Sequence, residues 1–120
     1  MSATTNNIEQ LYQRGFDLRC EGRYGEARMA LQSVLAKDPA HLNAKHQLAL
    51  IQGFEGDFDG SVASLTALSA AAPRNLDILF DLAMTQMMIG MMDEACGNFR
   101  AMLKIEPGND KASKQVIYCP

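Results

Sequence analysis

The sequence predicts an all-α chain made of repeated helical hairpins, on three observations. Pro39, Pro73 and Pro107 recur at intervals of 34 residues. Gly22, Gly56 and Gly90 recur at the same interval, each 17 residues ahead of its proline. Around these marks, residues 34 apart match in size and polarity. A fixed period in the range of roughly 20 to 50 residues is the signature of stacked helical or strand repeats. Here glycine permits a tight turn between two helices and proline ends the second one.

The matching columns place each helix in turn. After the glycines come Tyr24, Phe58 and Met92, then Ala27, Ser61 and Ala95, then Leu31, Leu65 and Phe99, then Val34, Leu68 and Met102. Before them come Leu11, Lys45 and Leu79, then Arg14, Leu48 and Leu82, then the uniformly small Gly15, Ala49 and Ala83. Small residues let two helix axes approach, and large ones fill the space between hairpins. First helices are therefore expected near 7–21, 41–55 and 75–89, and second helices near 24–37, 58–71 and 92–105. Asn6 with Glu9 resembles a capping box, and Asn75 and Asn109 stand at N-cap positions. The segment 110–118 continues the phase with Ala112, Val116 and Ile117 as its apolar side, which predicts a short capping helix over the last hairpin. The expected organisation is one domain over 1–120, with repeats at 8–41, 42–75 and 76–109 and the cap at 110–118.

Composition narrows the function. With 48% hydrophobic and 21% charged residues, the chain should fold as a globular unit. A net charge of -3 argues against nucleic acid as a partner. Residues 1–7 lack the apolar core of a signal peptide, and the weakly polar stretch 83–92 falls far short of the roughly 20 apolar residues of a membrane span, so no membrane partner is expected. Cys20, Cys96 and Cys119 form no CxxC pair, which suggests reduced thiols and a cytoplasmic location. His41 and His46, five residues apart, fall on different faces of a helix and read as surface histidines. No metal, cofactor or catalytic set is predicted, and the chain does not read as an enzyme.

The repeat columns resemble the tetratricopeptide repeat family over about residues 6–118. The departures are Arg14 and Lys45 at large apolar positions, and Gln52 and Gln86 where the family favours tyrosine. The resemblance implies three hairpins in a right-handed superhelix, with the first helices lining a concave groove that holds a peptide segment of a partner protein, as scaffold or chaperone. Peptide-binding candidates are then Tyr12, Phe16, His46, Gln47, Leu50, Phe54, Asp77, Phe80, Asp81 and Met84. Tyr12, His46 and Phe80 form one column, and Phe16, Leu50 and Met84 the next. Met88, Met91 and Met92 read instead as packing between hairpins.

Family members that capture acidic chaperone tails use a clamp of Lys, Asn, Asn, Lys and Arg. The matching positions here are Tyr12, Phe16, Gln47, Asp77 and Asp81. The resemblance therefore implies a different ligand, an apolar peptide with basic groups. Ile8-Glu9-Gln10-Leu11-Tyr12, followed by Phe16, Gly22, Tyr24 and Ala27, is similar to the first repeat of type III secretion translocator chaperones, without their long N-terminal helix. The alternative reading is a structural adaptor that forms homo-oligomers through its end faces.

Overall fold

The computed structural model describes residues 3–120, with side chains from residue 7 onward. Seven helices follow one another: α1 (Ala3–Cys20), α2 (Tyr24–Lys37), α3 (Leu42–Phe54), α4 (Phe58–Ala71), α5 (Leu76–Met88), α6 (Met92–Ile105) and α7 (Asp110–Val116). No strand occurs among the described residues. The second helices fall where the repeat places them. α1 departs from expectation by starting at Ala3, so Asn6 lies inside the helix rather than capping it. The side chain of Asn6 is outside the described residues.

Both kinds of turn repeat with the sequence. Gly22, Gly56 and Gly90 adopt φ of +79°, +99° and +84°. This left-handed geometry lets the next amide reach back to the ends of α1, α3 and α5, from Arg23 to Leu18 O at 2.9 Å, Asp57 to Gln52 O at 2.9 Å and Met91 to Gln86 O at 2.8 Å. The second helices end at Asp38, Ala72 and Glu106. After each proline, His41, Asn75 and Asn109 cap the following helix by accepting from Ala44, Ile78 and Ala112 N–H at 3.0, 3.0 and 2.9 Å. His41 thus serves as an N-cap, and not as the helical surface histidine that spacing suggested.

Helices pair as α1 with α2, α3 with α4 and α5 with α6, and each second helix packs on the next first helix. The apolar interior is correspondingly divided into three clusters. Leu18, Ala27, Leu31 and Val34 are closed by Ala44 and Ile51 of α3. Ala49, Leu65 and Leu68 are closed by Ile78 and Leu82 of α5. Leu79, Ala83, Ala95, Phe99 and Met102 are closed by Ala112 of α7. The small column sits at the crossing points: a Cβ on Gly15 would lie 2.7 Å from Leu31 Cγ. Arg14 and Lys45 stay at the surface. Ile117, expected on the apolar side of the cap, is 73% exposed because α7 ends before it.

Gln52 and Gln86 are absorbed by partners on the second helices. Gln52 Oε1 accepts from Ser64 Oγ at 2.7 Å, and Gln86 Oε1 accepts from Asn98 Nδ2 at 2.8 Å. The same two columns in the first repeat hold Leu18 and Ala30, both buried. Apolar and hydrogen-bonded pairs thus solve one packing position in two ways. Gln86→Leu should therefore destabilise the protein by about 1–2 kcal/mol in urea unfolding, because the Asn98 amide loses its partner. Adding Asn98→Ala, which recreates the Leu18–Ala30 pairing, should recover most of that loss.

Candidate functional site

The candidate residues lie on α1, α3 and α5, which adjoin one another along the chain. Helical spacing brings their columns onto one face, and the structure divides them into two groups. Tyr12, His46, Gln47, Phe80 and Asp81 are largely consumed in holding the helices together. Phe54 and its column mate Met88 are left standing in solvent.

Polar ties stitch the three helices. Arg19 Nε of α1 donates to Gln47 Oε1 of α3, while its guanidinium lies over Phe16 at 5.1 Å and over Phe54 at 5.7 Å. His46 Nε2 of α3 meets Asp81 Oδ2 of α5 at 2.8 Å. His46 and Gln47 are each 6% exposed, so neither is the open, groove-lining polar residue expected from spacing. Their burial is tolerated because each has a partner on the neighbouring first helix.

The aromatic column is likewise part-spent. Tyr12 is half-buried, with its ring centroid 6.3 Å from Phe16 and 5.2 Å from His41. Burial raises its hydroxyl above the ordinary tyrosine value of 10.0, while a hydrogen bond with Gln47 and the Arg19 charge pull it down. Phe80 packs on Phe99 at 6.1 Å and lies beneath the Lys111 ammonium of α7 at 5.2 Å. Met84 is half-buried against the third cluster. Asp77 is exposed in the first turn of α5.

What remains open is an apolar ridge at the far ends of α3 and α5. Phe54 is 54% exposed, its ring stacked on Tyr24 at 5.6 Å, and Met88 is 67% exposed. Between them a cleft of about 50 Å³ is lined by Leu50, Gly53, Phe58, Ser61 and Thr85. Of Met88, Met91 and Met92, expected to pack between hairpins, Met88 does not: it is the last residue of α5 and stands in solvent, whereas Met91 is partly buried and Met92, the first residue of α6, is 36% exposed. Register offered the signal, since Met88 shares its column with Phe54 and with Cys20, which is also exposed.

The expectation of three reduced thiols is overturned too. Cys96 and Cys119 form a disulfide with Cα atoms 5.9 Å apart, and Cys20 alone is free. Scattered spacing concealed the pair, because the chain turns back after α7 and returns Cys119 to α6.

No protein-family model matches the chain, and no curated protein matches it. Solved structures do. The first tetratricopeptide repeat domain of Spaghetti (RPAP3), bound to the HSP90 peptide SRMEEVD, superposes with a TM-score of 0.81 at 16% identity, covering 93% of this chain and 89% of that one. PcrH in complex with the chaperone binding region of PopB gives 0.76 at 18% identity, with 98% and 93% covered. A tetratricopeptide repeat protein from Parabacteroides merdae gives 0.75 at 22% identity, where 89% of this chain spans 43% of that one.

The fold is that of the tetratricopeptide repeat.

Within that fold, no helix among the described residues is long and apolar enough to cross a membrane. The Tyr12 environment gives a pH test. A phenol whose folded value is raised contributes stability that is present below its unfolded value, near 10, and lost as pH rises through the folded one. The stability advantage of wild type over Tyr12→Phe should therefore shrink between pH 8 and pH 11, measured by urea unfolding of both proteins.

Proposed function

We propose that this chain is a protein-interaction module that holds a peptide segment of a partner against the face of α1, α3 and α5. The observation that carries the reading is the exposed ridge of Phe54 and Met88 around a small apolar cleft, set on helices joined by polar ties. An apolar residue left in solvent on a pre-organised surface costs little to dock and gains about 25 cal/mol for each Å² it buries. Two structures that share the fold carry peptides, an HSP90 peptide on the RPAP3 domain and a PopB region on PcrH, and they support binding over catalysis here.

The ligand we favour is apolar, with one or two basic groups. Its anchor side chain enters the cleft beside Leu50, flanked by Phe54 and Met88. Its basic groups meet Asp77 and Glu9, which share one repeat column and are both exposed. Tyr12, Phe16, Phe80 and Met84 form the half-buried floor, while His46, Gln47 and Asp81 position it. A scaffold or chaperone role follows from such capture.

A screen of purified protein against peptides rich in apolar and basic residues tests this. Phe54→Ser with Met88→Ser should weaken the selected peptides by 10-fold or more without changing helical content, because both side chains are largely exposed. Binding unaffected by the pair, or no binder at all, would move the site to the end faces, where Ile117 and Tyr118 are exposed.

A further inference from the structure

The C-terminal helix closes its cluster in a different way from the other first helices. The first cluster is closed by Ala44 and Ile51, and the second by Ile78 and Leu82. α7 contributes only Ala112 as a buried apolar side chain, and it stops at Val116, after 7 residues. Isolated helices shorter than about 12–15 residues are marginal in water, so α7 depends on what fastens it.

Counting back by 34 residues identifies the fastening. Cys119 stands in the column of Thr85 and Ile51, the last of which is buried at 1% exposure and closes the first cluster. Cys96 stands in the column of Val62 and Arg28. Where α3 stays helical past the equivalent of Val116 and so presents Ile51, the C-terminal chain leaves the helix, turns, and is bonded to α6 through sulfur. Arg100 adds one further tie, to the Pro120 carbonyl at 2.8 Å.

We propose that Cys96 and Cys119 are a redox latch on the C-terminal cap. Closed, the latch keeps α7 over Leu79, Ala83, Phe99 and Met102 and keeps Lys111 over Phe80. Open, it releases residues 110–120 and exposes the end of the third hairpin. The inference goes beyond the proposed function and stands whether or not a peptide binds. In opening, a reductant thiolate attacks the Cys119 sulfur, which is less buried than Cys96, and Cys96 leaves as a thiolate that takes up a proton. A second thiol of the reductant then displaces Cys119 as a free thiol, and the reductant departs as its disulfide. Closing runs in reverse, with a soluble disulfide accepting both electrons. A reducing cytoplasm favours the open form and an oxidising compartment the closed one.

Thiol counting and hydrogen exchange on the full chain test the latch. In reductant-free, air-equilibrated buffer the protein should titrate as one thiol, that of Cys20, and as three after denaturation with dithiothreitol. Native reduction should raise amide exchange in 110–120 on the order of 100-fold, the loop-closure effect of a cross-link over a sequence separation of 23. Exchange in α1 to α4 should stay unchanged. Cys96→Ser with Cys119→Ser should reproduce the reduced pattern, and Cys20→Ser should not. Three reactive thiols in the untreated protein, or exchange in 110–120 indifferent to reduction, would overturn the proposal. The reduced wild type supplies the answer even if the double variant folds poorly.

Discussion

The close crossing of each first helix with its second, at Gly15, Ala49 and Ala83, sets the geometry on which the remaining features depend. Leu31 approaches Gly15 so nearly that a single added carbon would collide with it. In the second hairpin the Ser61 hydroxyl reaches the Ala49 carbonyl at 2.7 Å. Leu31, Leu65 and Phe99, all fully buried, fill the space between each crossing and the element packed against it. Because every hairpin repeats the crossing, the first helices align side by side and present one continuous face.

On that face, packing and display compete for the same residues. Tyr12, His46 and Phe80 carry a periodicity that suits a docking stripe, yet their neighbours draw them into ties between helices. His46 with Asp81 and Arg19 with Gln47 link α3 to both sides. One of these ties reaches the open ridge, since the Arg19 guanidinium that donates to Gln47 also lies over the Phe54 ring. The open part of the face is therefore narrower than its periodicity suggests and lies at the turn ends of α3 and α5.

Most of the architecture was legible in the sequence because it is written in residues whose backbone chemistry is local. Glycines at 22, 56 and 90 and prolines at 39, 73 and 107 mark turns whatever surrounds them. Other features depended on partners that spacing cannot name. Gln86 looked like a defect until Asn98 met it from the facing helix. His46 looked exposed until Asp81 was placed opposite. The disulfide lay beyond motif reading, because Cys119 shares its column with Ile51 and the closing role of that column shows only once the hairpins are packed. The start of α1 escaped because Ser2, Thr4, Thr5, Asn6 and Asn7 are all N-cap residue types and none singles itself out, and the helix runs on through Asn6.

The central claim is that Phe54 and Met88, raised on a stitched face, form the contact surface. Methionine methyl resonances report on it directly, since Met29, Met88 and Met102 lie on three different helices. Met29, on α2 and 70% exposed, provides an equally accessible reference away from the face. On titration with a selected peptide, the Met88 methyl should shift with saturating dependence, accompanied by Met84, while Met29 stays in place. Shifts at Met29 with Met88 unmoved would contradict the account and place the partner on the second helices.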